Sequence, residues 1–188
     1  VQHEQPIVAN LDKFKELILH ISKLCEDHPF FGVTKLNKLL FVADFSAYAQ
    51  LGVPITGVEY FKLKFGPAPR PMKPVIDEMR LREDLFIRPV TVFTRTEKKP
   101  IAAREANYNL FTGNEIELVD YFAEQFRDWT ATQIVNWSHQ YIGWRVVAEK
   151  EIIPYESIYW PDNQETEVTK RQLALAHVVA ERYNLVFP

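Results

Sequence analysis

The residue in this chain with the clearest capacity for chemistry is a carboxylate in a costly place: Asp44 lies within TKLNKLLFVADFSAYAQLG, a stretch from Thr34 to Gly52 that is otherwise largely apolar. An ionised carboxylate in such a setting needs a partner. Lys62, Lys64, Arg70 and His139 are the candidate partners, and a structural pair is favoured over general acid/base catalysis because no second carboxylate shares a comparable setting. Ser138 and His139 adjoin, but helix neighbours point about 100° apart, so adjacency alone makes no Ser/His dyad. A small hydrolase built from Asp44, Ser138 and His139 is therefore a minor reading. Cys25 falls among Ile18, Ile21 and Leu24 on an apolar helix side, which predicts a buried, inert thiol. His3, His20, His28, His139 and His177 are scattered, and the six glycines form neither GxGxxG nor GxxxxGK[ST]. No metal, nucleotide or other cofactor is expected. Lys38, on the same helix as Asp44, is expected to run its stem along apolar neighbours and hold its ammonium at the surface.

Bulk properties narrow the classes. The 188 residues suit one domain, and 47% apolar with 25% charged residues is ordinary for a globular chain. No apolar run reaches the roughly 20 residues that span a bilayer, and VQHEQP at the start lacks the pattern of a signal peptide. A cytoplasmic protein with no membrane partner is expected. The net charge of −3 is unevenly spread: residues 59–104 hold eleven Lys/Arg against six Asp/Glu, a net +5, while 105–188 hold six against thirteen, a net −7. Two faces of opposite sign could serve partners or pack together. A general nucleic-acid binder is usually basic overall, so nucleic acid remains the alternative partner, through the basic segment 59–104, and is not favoured.

These residues must be positioned by elements that the pattern predicts. Asn10 caps a helix in which Leu11, Phe14, Leu17, Ile18, Ile21 and Leu24 recur at helical spacing. Thr34 opens the next, which Gly52 and Pro54 close. That second helix is apolar nearly all round, with Leu36, Leu40, Ala43 and Ala47 on one face and Phe41, Val42 and Phe45 opposite. Burial of both faces is favoured over a docking surface on the Phe41/Phe45/Tyr48 side. From Val58 to Phe65 the period changes to two, predicting a strand with Phe61, Leu63 and Phe65 toward the core and Tyr60, Lys62 and Lys64 away from it. KFGPAPRPMKP, residues 64–74, then reads as a stiff corner into a short helix with proline in its first turn. LFIRPVTVFTR and a return from Ile101 to Tyr108 predict an antiparallel hairpin turning at Glu97–Pro100. Capping boxes Thr112-x-x-Glu115 and Thr130-x-x-Gln133 start two further helices, and a last helix is expected over Thr169–Arg182.

The order of motifs resembles the Panacea domain, the SocA-like antitoxin family. Its K-L-x-K-L-L-[FY]-x-A-[DQ] helix corresponds to Lys35, Leu36, Lys38, Leu39, Leu40, Phe41, Ala43 and Asp44; its exit turn corresponds to Gly52-Val53-Pro54-Ile55. The extended segment Tyr60-Phe61-Lys62, the G-P-x-P run Gly66-Pro67-Ala68-Pro69 and the later Trp137-Ser138-His139 follow in family order. The resemblance implies an antitoxin of a bacterial or phage toxin–antitoxin system that binds a cognate protein toxin and blocks it without catalysis. The motif residues would serve structure or partner binding. Many relatives carry a DNA-binding region; no helix-turn-helix with a basic recognition helix is evident here.

The fold expected is α+β and helix-dominated, a single domain with a central buried helix, surrounding helices and a small antiparallel β element. Residues 1–9 are read as a tail, 10–162 as the Panacea-like domain, and 163–188 as an accessory helix packed on it. The oligomeric state is left open by the sequence.

Overall fold

In a computed structural model, residues 6–92 and 94–162 are described. His3, His177 and the accessory helix expected within 163–188 lie outside the described residues. Helix α1 (Leu11–Leu24) begins where Asn10 accepts a hydrogen bond from the Lys13 backbone N–H at 2.9 Å. Helix α2 (Val33–Leu51) starts one residue before Thr34, with Gly32 at the cap and the Lys98 carbonyl close against it; it ends at Gly52, whose φ of 76° is the left-handed stop that glycine permits.

A hairpin of β1 (Tyr60–Leu63) and β2 (Gly66–Pro69) follows, then α3 (Met72–Leu81). Strands β3 (Leu85–Val92) and β4 (Arg95–Ala102) form a second antiparallel ladder. Helices α4 (Gly113–Gln125) and α5 (Ala131–Ser138) both carry the reciprocal capping box expected of Thr112 and Thr130. Helix α6 (Ile142–Val146) leads to the two-residue β5 (Ile152–Ile153), which pairs with β1 so that the sheet order is β2-β1-β5.

The architecture is a helix-dominated α+β domain wrapped around α2, which packs on α1, α4, α5 and β2. Twelve of its nineteen residues are buried, so both apolar faces are used, and Phe41, Phe45 and Tyr48 are core rather than docking residues. Among the described residues no helix is long and apolar enough to cross a membrane.

Three expectations are corrected. First, the faces of β1 are the reverse of those expected: Tyr60 is buried, whereas Phe65 is 64% exposed. Period two ends at Leu63, because Lys64 and Phe65 form the connection into β2 and leave the ladder. Second, residues 66–69 of the proline-rich run are themselves a strand. Pro67 lies opposite Lys62 and Pro69 opposite Tyr60 on an edge strand, where a missing N–H costs no ladder bond. Third, Glu97–Pro100 is no turn. These residues pair with Val90 to Ile87 inside β4, and the chain reverses between Val92 and Arg95. A two-stranded ladder has two outer edges, so both Pro89 and Pro100 fit within it.

Candidate functional site

Asp44 is 0% exposed in the middle of α2. The exit turn after Gly52 folds back over it and delivers Thr56, whose backbone N–H donates to Oδ1 at 2.6 Å. Oδ2 accepts from the Thr56 hydroxyl and from the Tyr60 hydroxyl, the latter at 2.7 Å. Burial pushes the Asp44 carboxyl up to about 6, against the opposing pull of the hydrogen bonds from Thr56 and Tyr60. None of the expected cations, Lys62, Lys64, Arg70 or His139, pairs with it. Three neutral donors do so instead, which is why β1 turns Tyr60 inward. Around them Tyr155 donates to the Val58 carbonyl at 2.7 Å and stacks on Phe45 at 4.6 Å, while Tyr141 meets Phe41 edge-on at 5.1 Å. Tyr60→Phe keeps the ring and deletes one donor. Urea denaturation is expected to show a loss of about 1–2 kcal/mol.

Lys38, expected at the surface, is 2% exposed and donates to the Pro67 carbonyl at 2.8 Å. This contact explains the proline-rich edge. The two prolines remove N–H donors from β2, and Lys38 takes up the Pro67 carbonyl, so the strand is poorly suited to pair with a stranger. Lys35, 1% exposed, donates to the Phe126 and Arg127 carbonyls at 2.9 and 3.0 Å, where α4 ends and its dipole favours a cation. Burial lowers Lys38 to about 7 and Lys35 to about 8. For a base depressed on folding, the unfolded chain holds more protons between the two pKa values, so stability rises with pH there. Thermal or urea melts should show stability increasing from pH 7 toward pH 10, and Lys38→Met should flatten part of that rise.

Gly66, at the start of β2, has φ of 90°. A Cβ on it would meet the Ser138 hydroxyl oxygen from α5 and would lie 2.8 Å from the Lys38 Cε. Lys38, Gly66, Pro67 and Ser138, scattered over a hundred residues, thus converge on one close crossing. Ser138 donates to the Val135 carbonyl at 2.8 Å, an in-helix bond. His139 stacks flat on Trp144, with centroids 3.9 Å apart and planes 8° from parallel. Its pKa is lowered by burial first and by the charges of Lys38 and Lys62 next, with a backbone contact to Lys64 opposing. Lys62 turns over the Trp144 ring at 4.6 Å and donates to the Val147 carbonyl at 2.9 Å. Trp144 in turn donates to the Leu63 carbonyl at 3.2 Å.

Leu36, Leu39 and Leu40 are core, Trp137 packs on Phe126 at 4.9 Å, and Pro69 closes β2. No hydrogen bond links Asp44, Ser138 and His139. Cys25 is fully buried and its thiol is pushed up to about 12, mainly by burial, as expected of an inert cysteine. Sequence reasoning missed Thr56, Tyr141, Trp144 and Tyr155. Thr56 follows the exit turn directly and is the one a search for hydroxyl donors near Asp44 could have found.

A family model described as antitoxin SocA-like, Panacea domain, matches residues 36–145. The chain belongs to the SocA-like Panacea antitoxin family. No curated protein matches it, and no solved structure does. The Panacea match runs from α2 to α6 and encloses both the Asp44 network and the crossing of Lys38 with Gly66 and Ser138.

The polar surface of this Panacea chain is divided. Glu117, Asp120 and Glu124 on α4 and Asp128 just after it are exposed, and Asp120 bonds His20 at 2.8 Å. Of the basic segment, Lys62 is turned onto Trp144, Arg70 pairs with Glu59 at 2.7 Å and Lys73 with Asp77 at 3.2 Å. Among the described residues no three His, Cys, Asp or Glu side chains are grouped to hold a metal ion.

Proposed function

We propose that this chain is an antitoxin that neutralises a cognate protein toxin by direct, non-catalytic binding in the cytoplasm of a bacterium or of a phage-infected cell. The observation that carries the reading is the family membership together with the fate of its signature residues. Asp44, Ser138, Lys38 and Gly66 are buried in contacts within the fold, and the Asp44 carboxylate, the Ser138 hydroxyl and the Lys38 amine have their partners there. Lys35, Lys38, Asp44, Tyr60, Gly66, Pro67, Ser138 and His139 act as framework residues in this reading. The toxin is met by the surface that this framework holds rigid.

The reading is tested in growing cells. The protein encoded by the adjacent gene is expressed under tight control, alone and together with this chain. Growth arrest by the neighbour alone, growth restored by this chain, and recovery of the two as one complex are expected. No rescue and no complex would overturn the proposal.

A further inference from the structure

We infer that the outer face of the β2-β1-β5 sheet is the docking surface for the toxin, and that it takes an extended, apolar segment flanked by carboxylates; this rests on the antitoxin reading above. An antiparallel sheet with one face packed on a core normally turns polar side chains outward. Here Tyr60 and Ile153 point inward as a buried pair, and the next pair along the ladder, Phe61 opposite Ile152, faces out. Ile152 is 42% exposed, and Leu63 continues the apolar row two residues beyond Phe61. With Arg70, Lys150 and Glu151 these residues line a surface groove of about 470 Å³.

The rim specifies charge. Lys150 is exposed, and among the described residues no carboxylate pairs with it. Among the described residues the Arg70 guanidinium has only an exposed pair with Glu59, the kind that a partner's carboxylate replaces at little cost. Glu151, the one acid in the groove, has its carboxylate turned back to accept from the Ala148 N–H at 3.1 Å. Two cations thus bracket an apolar floor. Lys150 also has φ of 67°, a left-handed conformation that a lysine adopts only against strain. Its backbone donates to the Lys62 carbonyl at 2.8 Å, which anchors the strained residue at the rim. The occupant is extended because the groove runs from this face to the free edge of β5, where a strand can add, while the opposite edge, on β2, is closed by prolines and Lys38.

The test measures binding of the purified adjacent gene product by titration calorimetry, with far-UV dichroism and melting temperature as fold controls. Ile152→Glu, and separately Arg70→Glu with Lys150→Glu, are expected to weaken the complex at least tenfold, the charge variants with a reduced salt dependence. Lys150→Gly is expected to raise the melting temperature by relieving the backbone while weakening binding, a split that a purely structural lysine would not produce. Glu117→Lys with Glu124→Lys, on the outer face of α4, should leave affinity unchanged. If the sheet variants bind like the wild type, the surface assignment is overturned while the antitoxin reading stands. If the same variants alter only self-association or binding of a single-stranded oligonucleotide, the assignment to a toxin segment is likewise overturned. If the wild type does not bind the neighbour at all, both fall.

Discussion

Gly66→Ala is expected to lower stability by on the order of 3–5 kcal/mol, or to prevent folding. Two costs add at this position. The φ of 90° is unfavourable for any residue with a Cβ, and the new methyl would collide with the Ser138 hydroxyl and approach Lys38. Neither neighbour can retreat, because Ser138 is 0% exposed in α5 and Lys38 is held to Pro67. Gly52→Ala separates the two terms. Gly52 has a comparable φ of 76°, but nothing lies within 4 Å of its missing Cβ, so its alanine variant should lose only about 1 kcal/mol. Equal losses in urea denaturation would show that the close crossing of β2 with α2 and α5 does not exist as described.

Asp44→Ala is expected to cost about 2–4 kcal/mol at neutral pH, since it leaves the Thr56 N–H, the Thr56 hydroxyl and the Tyr60 hydroxyl without their acceptor in the core. The loss is tempered because the wild type bears the cost of an ionised carboxylate there. The pH dependence exposes this cost. An acid raised on folding, here from 3.8 to about 6, binds its proton more tightly in the native state, so the wild type gains stability as pH falls through that window. The gap between wild type and Asp44→Ala should therefore widen between pH 7 and pH 4, by up to on the order of 3 kcal/mol. A gap that narrows in acid would mean that the three hydrogen bonds outweigh burial and hold Asp44 as a stable anion.

These residues also show what the sequence could carry. Local signals were readable where the cause is local: the Asn10 cap, the Gly52 stop, the two capping boxes and the all-round apolar pattern of α2 each predicted what is found. Signals that depend on a distant partner misled. Tyr60 belongs in the core because Asp44 accepts from it sixteen residues away, yet alternation with Lys62 and Lys64 put it with the charges. Lys38 is buried because a carbonyl on an edge strand needs a donor, a demand that does not exist until β2 has formed. The Lys35 contacts with the end of α4 span ninety residues and leave no trace in local spacing. β5 is two residues long, below what period two can mark, although it completes the sheet face assigned to the toxin. The order of family motifs was the one long-range signal in the sequence, and it named the residues that meet at Gly66 without saying that they meet.

The most direct test of the central claim is stoichiometric. The adjacent gene product's inhibition of a reconstituted translation reaction, or whichever activity arrests growth, is titrated with this chain. Direct, non-catalytic neutralisation predicts that activity falls linearly and ends at a fixed molar ratio, with the inactive toxin recovered bound and regaining activity when the complex is dissociated. Complete inactivation by a small fraction of an equivalent, leaving free and permanently altered toxin, would contradict the account.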